Sequence, residues 1–260
     1  MQRSQTRGLF LCQIFGQNEV IFYILEPLLK KCRLKYLIAK VFFVLVVALI
    51  LFEFTNCKGH SDKYIEEGVI EYETKAVDPD HPLADLAPTE AILKFKKDRF
   101  YVELSVMGMF NTMIVADVPK KTVSQMVKFM NVKQACIETQ KDIENENAGY
   151  RVLLEETNET KMIAGYKCIK VKASMVNDPR IKFDVYYTKE LGVENVNELS
   201  PYKELKGMLM EYRLRKNGLE LSFTAKKVKK AKISDNIFEI PGYYKIVSGE
   251  EMAEFFATLQ

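Results

Sequence analysis

Met208–Lys216 (MLMEYRLRK), Asn217-Gly218 and Leu219–Lys227 (LELSFTAKK) decide the fold. Met208, Met210, Tyr212 and Leu214 recur at every second position up to the turn, and Leu219, Leu221, Phe223 and Ala225 do so after it. Asn-Gly between two such runs supplies the positive-φ pair of a type I′ turn, so this is a β-hairpin. Outward from it the period of two persists. Ile70, Tyr72, Thr74 and Ala76 oppose Glu71, Glu73 and Lys75. Phe100, Val102, Leu104 and Val106 oppose Arg99, Tyr101, Glu103 and Ser105, and Ile181, Phe183, Val185 and Tyr187 oppose Lys182, Asp184 and Tyr186. Such alternation sets one face on a core and one in water, as antiparallel sheets do. Further strands are predicted over Ala91–Lys96, Met113–Asp117, Thr122–Phe129, Arg151–Glu156 and Tyr166–Met175, with turns at Val118–Lys121 and Ala164-Gly165. A helix is predicted over Asn131–Asn147, where β-branching is sparse, and helical turns within Leu191–Leu205. Ser248–Glu251 is a capping box opening a terminal helix with Met252, Phe255, Phe256 and Leu259 on one side. The sum is a single α+β domain over 68–260, dominated by antiparallel strands.

The 260 residues include 38 Lys+Arg and 35 Asp+Glu. Residues 1–56 hold 7 of the basic and 3 of the acidic residues, a net of +4, which leaves a body of net −1. Val41–Phe52 is an unbroken apolar run of 12 residues, preceded by Lys30, Lys31, Arg33 and Lys35. A basic flank before a short apolar run is the pattern of a secretory signal. A retained single-pass anchor needs about 20 apolar residues, and Tyr36–Phe54 supplies them only by including Lys40 and Glu53. A cleaved signal, a retained anchor and a buried core helix are the three readings; the first two put the body outside the cytoplasm. Residues 8–29 are a second, broken apolar stretch, read as a further membrane segment or as sequence upstream of a true start near Lys30–Lys35. Residues 57–67 read as a polar tether.

Phe54-Thr55-Asn56-Cys57, directly after the apolar run, resembles the lipobox of bacterial lipoproteins. Phe54 stands where that family favours Leu, and Asn56 where it favours a small residue. The resemblance implies a diacylglyceryl thioether on Cys57 and attachment to a membrane, each buried CH2 contributing roughly 0.8 kcal/mol. It places the body on the periplasmic side of a membrane or at the cell surface. Glu159–Cys168 (ETKMIAGYKC), Lys206–Tyr212 and Phe238–Tyr243 (FEIPGY) are similar to segments of an uncharacterised, Bacteroidetes-type lipoprotein family. That family is related in fold to the LolA/LolB carriers and to the GLPGLI proteins, although no Gly-Leu-Pro-Gly segment is present here. This resemblance implies a strongly curved antiparallel sheet, an open half-barrel, with a few helices on its concave side.

Chemistry is sparse by comparison. His60 and His81 are the only histidines, so Ser-His, Cys-His and HExxH machinery lacks material. Asp78, Asp80, His81 and Asp85 lack calcium-loop spacing and read as a solvated loop. No Gly-rich phosphate loop occurs. Neither a cofactor, a metal nor a catalytic residue is expected; a carboxylate-pair hydrolase is a third function reading that no motif singles out. Cys136 and Cys168 read either as a disulfide worth on the order of 3 kcal/mol or as two buried thiols. The lysines of Ala225–Lys232 read as a solvated edge or a contact for anionic lipid headgroups. Nucleic acid is disfavoured by export and by the near-neutral body. Met107, Met109, Met113, Met126, Met130, Met162, Met175, Met208 and Met210 suit a soft apolar binding surface or ordinary core filling. The leading expectation is a non-catalytic, membrane-anchored protein holding a hydrophobic or envelope-derived ligand. Phe100, Val102, Leu104, Phe183, Val185, Tyr187, Met208, Met210 and Tyr212 would line its cavity. The alternative is a filled barrel, without ligand, that works through its surface; no feature names a protein partner.

Overall fold

The computed structural model of the chain describes residues 65–259 except Met107 and Asn217. The leader, Cys57, His60 and the tether up to residue 64 lie outside the described residues. In chain order the strands are β1 (Glu67–Ala76), β2 (Glu90–Lys96), β3 (Arg99–Val106), β4 (Phe110–Asp117), β5 (Thr122–Phe129) and β6 (Val132–Glu138). After helix α1 (Gln140–Gly149) come β7 (Val152–Ile163), β8 (Tyr166–Met175), β9 (Lys182–Thr188), β10 (Met208–Lys216), β11 (Leu219–Lys230) and β12 (Lys245–Ile246), then helix α2 (Gly249–Ala257). All twelve strands join one sheet, in the order β12-β6-β5-β4-β3-β2-β1-β11-β10-β9-β8-β7. The β12–β6 ladder is parallel and every other is antiparallel.

Turn chemistry dictates the hairpins. Lys216 pairs with Leu219 across a two-residue loop in which Gly218 holds φ +84°. Ala164 and Gly165, at φ +49° and +87°, join β7 to β8 in the same way. A bulge at Met210 breaks the expected alternation of β10, so Met208, Leu209 and Met210 are all buried.

The sheet curls strongly and stays open. β6 and β10 lie seven strand steps apart in its order; a flat sheet would hold them roughly 34 Å apart. Instead Lys216 Nζ of β10 stands 2.7 Å from Glu138 Oε1 of β6. The order ends on β12 and β7, with no ladder joining them among the described residues. This is the curved, unclosed antiparallel half-barrel that the family resemblance implied, with α1 and α2 over its concave side.

The helix expected over Asn131–Asn147 is a correction: its first half is β6. Met130, at φ +50°, lets the chain reverse in two residues. β5 then offers its edge to Val132–Glu138, and the ladder outweighs the weak helical preference of that segment. The helix starts only at Gln140, behind Thr139, whose amide and hydroxyl both donate to Asp142 Oδ2 at 2.8 and 2.6 Å. The tether also ends earlier than expected. Ile65 is buried and its N–H donates to Leu191 O at 3.1 Å, and β1 begins at Glu67.

The C-terminal segment wraps the β6 edge. Residues 231–244 cover the convex face, where Ile233, Phe238 and Tyr244 pack on Tyr101, Val115 and Met126. Asp235, ion-paired to Lys96 at 2.8 Å and to Arg99, fastens that cover. The chain then pairs with β6 as β12 and turns inward. Ser248 Oγ accepts the Glu251 N–H at 3.1 Å, and Glu251 Oε2 accepts the Ser248 N–H at 2.9 Å. α2 seats Met252 and Phe256 on Val127 and Cys136 of the concave face.

Candidate functional site

Two adjoining cavities, each of ≈ 170 Å³, occupy the hollow between the arms of the sheet. Val102, Ile114, Tyr212, Leu214 and Lys216 line both. The first lies between β3, β4, β10 and β11 and is closed by Phe256 and Leu259 from the α2 end and by Leu83 and Leu86 from the β1–β2 loop. The second lies beneath α1, which contributes Ile143, Glu146 and Asn147, with Tyr150 just beyond the helix. An aromatic floor stiffens the junction. Tyr212 stacks on Phe223 at 4.7 Å, and Tyr72 meets both edge-on at 6.0 and 6.1 Å. Each such pair contributes about 1 kcal/mol beyond its burial. Tyr72 Oη donates to Leu209 O at 2.7 Å, so its one polar group is satisfied within the core.

Of the residues the sequence put in a cavity, Phe100, Val102, Leu104, Met208 and Tyr212 line the two hollows. Phe183, Val185, Tyr187 and Met210 do not: they are packed inside the main core. The inward-facing residues of β9 are closed over by that core, so alternation alone could not separate a filled from an open stretch of the concavity. Tyr187 Oη instead pairs with Glu156. Sequence reasoning missed Phe110, Ile114, Leu214, Leu219 and Leu221, although most sit on strands whose inward register it had set. It also missed Leu83 and Leu86, which stand beside the acidic residues and His81 that it read as a solvated loop.

A charged cluster interrupts the apolar lining, with Asn147, Asn197 and Ser200 nearby in the second cavity. Lys216 Nζ lies 2.7 Å from Glu138 Oε1 and 2.6 Å from Glu146 Oε2, spanning from β10 to β6 and α1. Burial pushes the Glu138 carboxyl above the usual range, with Lys216 opposing it. Burial also works to lower Lys216, but the two carboxylates outweigh it and hold the ammonium above its ordinary value. Beside it, Arg215 Nη2 donates to Gly149 O at 2.5 Å at the C-terminal end of α1 and lies over the Tyr150 ring. Tyr150 Oη donates to Glu220 Oε1 at 2.8 Å. The C-terminal half of α1 is thereby pinned to β10 and β11.

Cys136 and Cys168 are separate free thiols, so the disulfide weighed from the sequence is a correction. Cys136 packs under α2, whereas Cys168 belongs to the main core on the other arm. Burial pushes Cys168 up to about 11 and raises Cys136, which disfavours thiolate chemistry at both. The lysine-rich end of β11 is not a bare solvated edge: it pairs with β1, where Lys226 meets Glu73 at 2.5 Å and Lys229 meets Glu71. Met126, Met175, Met208 and Met210 are buried, whereas Met109, Met130 and Met162 are exposed, so the described methionines form no continuous binding surface.

No family model matches the chain, and no curated protein matches it. Among solved structures it is similar to MucB in complex with MucA(peri), at 9% identity over 70% of this chain and 57% of that one, with a TM-score of 0.29. It is similar also to MucB alone, at 9% identity over 70% of this chain and 60% of that one, with a TM-score of 0.28. The chain thus spans less than two thirds of the length of either.

Proposed function

We propose that this chain is an exported, membrane-anchored lipoprotein without catalytic activity, holding a hydrophobic or envelope-derived ligand in the hollow of its half-barrel. The observation that carries the reading is the pair of adjoining apolar cavities between the arms of the curved sheet. Apolar concavities with a few placed polar groups are the usual form of a small-molecule site. Membership of the lipoprotein family that Glu159–Cys168 resembles, and acylation of Cys57, belong to the same proposal. Native and intact mass spectrometry of the full chain purified from membranes tests it. The expected result is a mature N-terminus at acylated Cys57, lost under a signal peptidase II inhibitor, together with extra non-covalent mass that collisional activation releases. An intact leader on the mature protein would replace the acyl anchor with a membrane-spanning one. The absence of bound mass would favour the surface-acting alternative, which the packed stretch around Phe183, Val185 and Tyr187 supports.

A further inference from the structure

Lys216 is the only charged residue lining the first cavity among the described residues, and it also lines the second. An ammonium has three protons to donate. Two go to Glu138 Oε1 and Glu146 Oε2, which leaves one N–H to meet an acceptor from a bound molecule. The sign of the whole group then matters: one ammonium and two carboxylates carry a net charge of −1. Within an apolar lining, where charges are poorly screened, an anionic headgroup brought to Lys216 also meets two carboxylates. An uncharged oxygen acceptor takes the same N–H without that repulsion. Arg215, the other cation of the second cavity, is exposed and engaged by Gly149 O and the Tyr150 ring. Glu146 has the more exposed carboxylate of the two, at 42% against 15% for Glu138, and is the one whose charge can be removed with least disturbance.

We infer that Lys216, Glu138 and Glu146 make the hollow select amphiphiles with an uncharged oxygen headgroup, such as a glyceride ester, over carboxylates and phosphates of equal chain length. The inference rests on the apolar-ligand reading above. It is tested with the full chain held in solution by a non-ionic amphipol. N-phenyl-1-naphthylamine fluorescence reports occupancy, and monolaurin, laurate and dodecyl phosphate are the displacing compounds at pH 8. Monolaurin is expected to displace the probe at about one tenth of the concentration either anion needs, the scale of a modest net repulsion from one uncompensated negative charge. Glu146→Gln, which leaves the group neutral, is expected to bring both anions to within about threefold of monolaurin. Lys216→Met is expected to weaken monolaurin about tenfold while leaving the naphthylamine itself unaffected. Anions that displace as well as monolaurin in the unaltered chain, or a Glu146→Gln variant that still rejects them, would overturn the selection while leaving the container intact. Failure of the naphthylamine to bind would overturn the container and the selection with it.

Discussion

Gly207 shows how much of the hollow depends on single backbone positions. It holds φ +148°, and a Cβ there would stand 2.5 Å from the carbonyl oxygen of Thr188. That close approach sits where Met208 of β10 begins its pairing with Thr188 of β9. Asn197, itself buried, locks the same corner by donating to Leu205 O at 2.7 Å and to Gly207 O at 2.8 Å. Gly207→Ala is therefore expected to cost about 2–3 kcal/mol, through a strained backbone and a forced separation of two strands. Urea unfolding of the full chain measures it; an unchanged midpoint would mean that β9 and β10 do not approach this closely. The two thiols give a second residue-scale test. Against an ordinary thiol value of 9.0, a folded value of about 11 at Cys168 lowers its thiolate fraction at pH 8 roughly a hundredfold. Iodoacetamide at pH 8 is expected to leave Cys136 and Cys168 unlabelled in the native protein and to label both in urea. Rapid native labelling would place either thiol outside the cores described.

The helices and hairpins show where the sequence was readable. The hairpin around Gly218, the Ala164-Gly165 turn and the Ser248 cap were legible because each rests on local chemistry: a positive φ, or a hydroxyl three residues before a carboxylate. β6 was not legible, because its strand character comes from the edge of β5 rather than from Val132–Glu138 itself. The Thr139–Asp142 pattern that starts α1 was visible in the sequence and would have divided the segment correctly. The cavity was half legible. Inward register followed from alternation, but which inward residues line open space depends on how the arms curl, and no single strand encodes that. The cap carries a prediction at this scale. Thr139→Ala removes the hydroxyl and is expected to destabilise the protein by about 1 kcal/mol. Its amide exchange should rise in α1, where Ile143 is the buried anchor, while α2 stays protected. Equal loss of protection in both helices would mean that they do not respond separately.

For the molecule as a whole, the question is what holds two distant arms of one sheet together, and a short polar strut crosses the hollow between them beside helix α1. The strut is an ammonium shared by two carboxylates in a mostly apolar setting, and such groups can cost as much to bury as their attraction returns. Removing one partner alone is a different matter, because it strands the charges left behind. Lys216→Met should therefore destabilise the fold by about 2–4 kcal/mol, and adding Glu138→Gln and Glu146→Gln should restore most of the loss. The pH dependence has a definite sign. Burial raises Glu138 above its unfolded value, so the folded chain binds that proton more tightly than the unfolded one. Its contribution to stability is fully present below the unfolded value and is lost as pH rises through the folded one. Urea unfolding at a series of pH values should show this falling component in the unaltered chain and lack it in Glu138→Gln. A Glu138→Gln variant with an unchanged pH profile, or a Lys216→Met variant as stable as the parent, would show that the strut does not hold the arms.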